Sequence, residues 1–321
     1  MQTVTDILAR GFANKGCSVT TLTSSTSLSS NDCQFPYKII RTSSLHQIYK
    51  QVKLHDYVLA QGDCYRLLLP CLLFKNKSFL LVHHMKVRVR TGIITRIIDR
   101  VFRWKFKIYA VSNFVLNSGT FDMNGVLNNP YNEILFNNSS KIEGRIRNFL
   151  HVGTRSSKGT WDLLFAFHKI VFKYPKAILT IIGSGSELDS LKSYVRANGL
   201  SNNVLFSGAV DENEMSYLMS IHQYVVVPSK VDEAFGLVVI EGLASGCRVI
   251  CSDDGGLPEA LGGMGLVFHK GNLEELQTLL ENALDNVKNY SQDETTTIKK
   301  HLANYKSDSV VKNYLSVFEK K

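Results

Sequence analysis

Two glutamates, Glu233 and Glu241, enclose seven residues that are all apolar or glycine within VDEAFGLVVIEGLASG, residues 231–246. A solvated helix face carries polar residues along a whole stripe, and this segment does not, so carboxylates at both ends of an interior-like run call for a chemical reason. The preceding YVVVPS (224–229) reads as a buried strand, KVDEAFG as the loop at its carboxyl end, and LVVIEGLASG as a helix. Open α/β sheets bind ligands beyond the carboxyl ends of their strands. The first N–H groups of a helix lack internal acceptors, which makes the backbone around Phe235, Gly236 and Leu237 a phosphate site. Glu241 lies about one turn further along the helix. The two carboxylates can then bracket an extended ligand, one at its sugar end and one at its ribose end.

The elements that must position these groups form a regular series. Short apolar runs, FLLV (79–82), KIYAVS (107–112), NFLHVG (148–153), AILTIIG (177–183), NVLFSG (203–208), YVVVPS (224–229) and CRVICSD (247–253), alternate with helical patterns, the signature of βαβ units and parallel sheets. TWDLLFAFHKIVFKYP is a helix stopping at Pro175, and SELDSLKSYVRANGL one opening on a Ser186 cap and closing at Gly199. Residues 3–14 form a first helix ended by Gly16, and CSVTTLTS a strand, so the series opens on a helix; a first strand with a glycine-rich turn is expected before it. Residues 118–145, rich in Asn, Ser and Gly, read as a weakly ordered linker between two α/β halves. No internal repeat is evident.

Composition narrows the function classes. The 321 residues suffice for two domains, 44% are hydrophobic and 20% charged, and no apolar run approaches the ~20 residues of a membrane-spanning helix. Mean hydropathy is −0.04. The N-terminal residues lack the apolar core of a signal peptide, so a cytoplasmic protein is expected. Six scattered cysteines, with no CxxC pair, read as reduced thiols, and no metal site is expected; Asp253 and Asp254 read as turn residues. The net charge of +9 argues for an anionic partner, and Lys86, Arg88, Arg90, Arg96, Arg100, Arg103, Lys105 and Lys107 concentrate it. In TGIITRIIDRVFRWKFK (91–107), Ile93, Ile94, Ile97, Ile98, Val101 and Phe102 share one helical face, with Arg96, Arg100 and Arg103 off it. That pattern fits docking on an anionic membrane surface. Nucleic acid is not expected, since no aromatic stacking platform or recognition-helix motif accompanies the charge.

Glu233 and Glu241 resemble the E-x7-E signature of family-four retaining glycosyltransferases, which have the GT-B architecture, an α/β fold of two facing Rossmann-like domains with an interdomain cleft. The resemblance extends over most of the chain. HVGTRSSKGTWDLLFAF looks like the family's strand, basic loop and helix, IIGSGSELDSL like its glycine turn, LFSGAV like the segment flanking the base, and DDGGLPEAL like its GGxPE segment. LLVHHMK is similar to the strand that ends in a histidine near the reaction centre, and YAVSNFV to the strand after it.

The resemblance implies catalytic roles for Glu233, His84 (in preference to His83) and Lys158. It implies donor binding by Arg155, Lys158, Gly183, Val210, Phe235, Gly236, Leu237 and Glu241. It further implies a metal-independent hexosyltransferase without cofactor, taking a nucleotide sugar, a UDP-sugar in preference to a GDP-sugar, and a glycan or lipid-linked acceptor in cell-surface polysaccharide synthesis such as capsule or lipopolysaccharide. The enzyme would act peripherally on the inner face of the membrane. The expected domains are an acceptor-binding one at 1–140, incomplete at its start, a donor-binding one at 141–306, and a helix at 307–321 packing back towards the first. Two other readings stand beside this one: a truncated, non-catalytic nucleotide- or polyanion-binding remnant, and a sugar-nucleotide epimerase of the same architecture.

Overall fold

The computed structural model describes residues 2–25, 35–62, 64–86, 93–119, 122–137 and 144–319, and of Gln2 and 93–96 only the backbone. Its elements follow the alternation of short apolar runs with longer amphipathic ones: α1 (Gln2–Asn14), β1 (Thr20–Thr23), β2 (Lys38–Arg41), α2 (Leu45–Leu54), β3 (Tyr57–Gln61), α3 (Tyr65–Leu68), β4 (Ser78–His83), α4 (Ile93–Lys105), β5 (Lys107–Ala110) and α5 (Asn113–Ser118). There follow β6 (Arg147–Val152), α6 (Thr160–Val171), β7 (Leu179–Ile182), α7 (Leu188–Ala197), β8 (Val204–Gly208), α8 (Glu212–Ile221), β9 (His222–Val227), α9 (Leu237–Ala244), β10 (Arg248–Ser252), α10 (Leu257–Leu261), β11 (Leu266–Phe268), α11 (Leu273–Asp285), α12 (Gln292–Ala303) and α13 (Ser307–Glu319). Two compact units result, residues 1–131 with 304–321, and residues 132–303. The division thus falls at Tyr131/Asn132, within the 118–145 stretch, and at Ala303/Asn304.

In the first unit β1 pairs with β2, and β3, β4 and β5 form a second sheet, all in parallel register. Among the described residues β1 and β3 are not paired with each other; His55 Nε2 reaches Thr20 Oγ1 at 3.1 Å instead. Phe79, Leu81, Phe102, Phe106 and Ile108 form the centre of the core. The terminal helix α13 belongs to this unit, its Tyr314 ring meeting Phe12 edge-on and its Asp308 paired with Lys15.

The described part of the expected linker is well packed rather than weakly ordered. Leu127, Tyr131 and Phe136 are buried, and Val126 bridges to Ala110 at the end of β5. Three large apolar side chains outweigh the local turn-forming composition. Residues 120–121 and 138–143 of that stretch lie outside the described residues.

Helix α4 also departs from expectation. Ile98 and Phe102 turn into the core, while Ile97 (58% exposed), Val101 (39%) and Trp104 (82%) form a second, outward apolar stripe at i, i+4 and i+7, beside exposed Arg100 and Arg103. The core accepts only one side of a helix packed on a sheet, so the apolar arc read as one face is split. Arg88, Arg90 and the side chains of Ile93, Ile94 and Arg96 lie outside the described residues.

The second unit holds one six-stranded parallel sheet in the order β11-β10-β9-β6-β7-β8. Strands β7, β9 and β10 are buried almost throughout, as their continuous Val, Ile and Leu content requires when helices cover both faces, while the edge strands β8 and β11 are more open. The chain runs outward from β6 through β7 and β8, then returns to lay β9 on the other side of β6, with Leu150 opposite Val225. That reversal is the topological switch point of a doubly wound sheet, beside which the loops leaving β6 and β9 lie at the carboxyl ends of adjacent strands. Helix α6 lays Leu163, Leu164, Phe167 and Ile170 on the sheet. Helix α7 opens with Glu187 at its N-cap position and no side-chain cap, so Ser186 does not cap it, and Gly199 (φ +69°) closes it.

Candidate active site

The loops leaving β6 and β9 carry the basic and acidic groups. The 153–159 loop is shaped by two glycines. A Cβ on Gly153 (φ +147°) would meet Lys158 Cβ at 2.9 Å, and one on Gly159 (φ +71°) would sit 1.8 Å from the Pro228 carbonyl oxygen, so only glycine lets this loop lie against the chain leaving β9. Beneath it, buried His151 donates from Nδ1 to Val226 O (3.0 Å) and pairs its Nε2 with Thr160 Oγ1 (2.9 Å), and burial pushes its pKa down to about 4. The imidazole is therefore neutral and structural. Lys230 N donates to Ser157 O at 2.9 Å, joining the two loops directly.

This scaffold brings Lys158 and Glu233 together. Lys158 Nζ lies 2.6 Å from Glu233 Oε2, and Ser229 Oγ donates to the same oxygen at 3.1 Å. Both charged side chains keep a partly open surface, 29% for the lysine and 23% for the glutamate. Glu233 is further held through its backbone: its N–H donates to Asp254 Oδ2 (2.9 Å) and its carbonyl accepts from Gly256 N (2.6 Å). Asp254 is wholly buried and also takes Lys270 Nζ at 2.6 Å, so it is no simple turn residue. Ser229, Asp254 and Lys270 were not picked out from sequence; buried carboxylates look like turn formers when Gly-Gly follows them.

Gly236 caps α9 in the left-handed region (φ +95°, ψ 48°), and the Phe235–Leu237 backbone forms the helix entry. One turn in, Glu241 is 8% exposed, and burial, with a smaller repulsion from Glu212, raises its pKa to about 8. Its carboxyl is thus protonated at neutral pH.

The remaining candidates from sequence spread along the same edge of the sheet. Arg155 is exposed at the start of the short turn containing Lys158, close enough to Glu187 to help lower that carboxyl's pKa. Glu187 chiefly serves Ser156, accepting from its Oγ and its N (2.9 Å), and Trp161 Nε1 (2.9 Å), which ties α7 to the basic loop. Gly183 (φ +135°) follows β7 and packs on Thr154, where a Cβ would come within 3.2 Å of Thr154 Cγ2, and half-buried Val210 follows β8.

His83 and His84 belong to the first unit, at and just beyond the end of β4. His83 is buried. His84 Nε2 is buried with no hydrogen-bond partner among the described residues, and burial lowers the ring's pKa to about 4, so it is neutral near pH 7. Cys17, Cys64, Cys71, Cys247 and Cys251 are free thiols. Among the described residues no cluster of three His, Cys, Asp or Glu side chains could hold a metal ion, and no helix is long and apolar enough to cross a membrane.

Comparison with known proteins identifies the fold and the family. The phosphatidyl-myo-inositol mannosyltransferase of Mycolicibacterium smegmatis is 33% identical over 111 residues, 35% of this chain and 28% of that protein. The matched stretches amount to 27–36% of the length of the first curated relatives. Among solved structures, a glycosyltransferase from Rickettsia africae superposes with a TM-score of 0.83 at 17% identity, covering 99% of this chain and 94% of that one. The Anabaena protein HepE, solved with UDP, gives 0.81 at 14% identity, covering 99% and 95%. The fold is accordingly GT-B, with two Rossmann-like α/β units. The family model described as glycosyl transferases group 1 matches residues 135–300, just over half of the chain and nearly all of the unit that carries Lys158, Glu233 and Glu241. The chain belongs to the group 1 glycosyl transferases.

Proposed function

We propose that the protein is a retaining glycosyltransferase that moves a hexose from a UDP-sugar to a glycan or lipid-linked acceptor of the cell surface, without a metal ion. The observation that carries this reading is the Lys158–Glu233 pair beyond the carboxyl ends of β6 and β9, with buried Glu241 one turn into the helix that follows. Glu233 would face the donor-sugar hydroxyls, and Glu241 the ribose hydroxyls. Departure of the sugar leaves negative charge on the nucleoside diphosphate. Lys158, Arg155 and the amides at Phe235–Leu237 would stabilise that charge where it grows, the kind of preorganised stabilisation that lowers a barrier most. This arrangement supplies fixed positive charge without a metal ion. Retention follows from attack on the face the leaving group vacates, so no protein nucleophile is assigned. The resemblance gives His84 of the first unit a catalytic role, and its neutral ring can offer a hydrogen bond to a hydroxyl.

The UDP of the HepE structure supports uracil as the donor's base, and the phosphatidyl-myo-inositol mannosyltransferase relative supports a lipid-linked acceptor. The outward Ile97, Val101 and Trp104 stripe with Arg100 and Arg103 supports peripheral attachment to an anionic membrane, on its cytoplasmic face. The test is calorimetric titration of the purified chain with UDP, GDP and ADP in the presence of a chelator. Selective, chelator-insensitive binding of UDP is the expected result; binding of none of the three by folded protein would refute the donor-site reading.

A further inference from the structure

The geometry points to Asp254 as a positioning residue that sets the direction of the Glu233 carboxylate from behind, through the backbone. A carboxylate with no exposed surface is costly unless each oxygen is paired, and Asp254 has both paired: Oδ2 accepts from Glu233 N at 2.9 Å and Oδ1 from Lys270 Nζ at 2.6 Å. The loop after β10 grips Glu233 a second time, where Gly256 N donates to Glu233 O at 2.6 Å. Holding both the N–H and the carbonyl of one residue fixes its Cα–Cβ direction. Here that direction delivers the side chain to Ser229 Oγ and Lys158 Nζ.

The contact leaves no slack. A Cβ on Gly255 would fall 2.2 Å from Glu233 O, so the two backbones touch across a residue that must be glycine. Lys270, 42% exposed on the loop after β11, anchors the far side of Asp254 and links the clamp to a third strand end. A loop glutamate placed in this way keeps the sub-ångström precision that a sugar-recognising group needs, although it lies on no helix or strand. Asp254 itself need touch no substrate.

This inference rests on Glu233 being the donor-sugar carboxylate, and the test separates the two. Amide hydrogen exchange of Asp254→Ala, Asp254→Asn and Lys270→Ala is compared with the wild type, together with their affinities for UDP and UDP-glucose. Asp254→Ala is expected to raise exchange about 10-fold or more in the peptide containing Glu233 while the rest of the sheet stays protected. It should also weaken UDP-glucose about 10-fold relative to UDP, because a misplaced carboxylate loses the sugar and not the nucleotide. Asp254→Asn retains an acceptor oxygen for Glu233 N and should restore both readouts to within about 3-fold of wild type. Lys270→Ala, at a partly exposed side chain, should shift both in the direction of Asp254→Ala by a smaller factor. Unchanged exchange at the Glu233 peptide in Asp254→Ala and Lys270→Ala overturns the proposal, as do equal losses for UDP and UDP-glucose or uniform loss of protection over the whole sheet. A wild type that binds UDP and UDP-glucose equally overturns the Glu233 assignment instead, with the exchange data still deciding the clamp.

Discussion

Replacing Glu241 by Gln should stabilise the protein and do so increasingly as pH rises. The Glu241 carboxyl is raised from the ordinary 4.5 to about 8, chiefly by burial. Between those values the folded chain keeps a proton that the unfolded chain releases. Unfolding is therefore favoured progressively as pH rises, the reverse of the common case of a salt-bridged carboxylate. The penalty is absent below pH 4.5 and complete above pH 8. At pH 7 it spans two and a half pH units at ~1.4 kcal/mol each, or about 3.5 kcal/mol. Glutamine fills nearly the same volume and does not ionise, so the variant escapes this term. Urea unfolding of both proteins at pH 4.5, 6, 7 and 8.5 measures it as a difference that grows towards pH 8 and then levels. The same experiment extends to the ligand. Ribose hydroxyls bind best to an ionised carboxylate, so UDP binding at pH 7 should release a proton and give a heat that depends on the buffer's ionisation enthalpy. Glu241→Gln should bind UDP more weakly and without buffer dependence. A stability difference that is flat between pH 4.5 and 8.5 would refute the reasoning, since it would mean that Glu241 titrates normally and is not desolvated.

Gly159→Ala should cost about 3 kcal/mol or more, since it combines a left-handed backbone with a Cβ 1.8 Å from Pro228 O; the control Gly263→Ala, also left-handed (φ +78°) but with no atom within 4 Å, should cost only ~1 kcal/mol. Thermal unfolding reads both, and equal losses would show that the close approach of the two loops is not what demands glycine. Serine at Ile97, Val101 and Trp104 together should reduce co-flotation with phosphatidylglycerol-containing vesicles on the order of 10-fold, with the fold intact because these side chains point outward. Binding should weaken further with salt as the arginine contribution is screened; undiminished flotation of the triple variant would place the attachment elsewhere.

Much of the second unit is legible in one dimension. Val225, Val226, Ile250 and Ile181 lie in runs too apolar for anything but a strand covered on both faces, and the helices between them have the spacing to cover it. Glu233 and Glu241 were legible because charge is conspicuous inside such a run. What the sequence left open concerns residues whose role depends on partners far along the chain. Asp254 reads as a turn former from its neighbours and becomes a buried clamp only when Glu233, 21 residues earlier, and Lys270, 16 later, are folded onto it. Leu127, Tyr131 and Phe136 sit among turn-forming residues, and burial rather than local preference orders them. The division of α4 into a core stripe and an outward stripe likewise depends on which side the sheet occupies. Periodicity is a local property and survives in one dimension. Desolvation, ion pairing and the close approach of two backbones are properties of distance in space, and only the tertiary structure decided them.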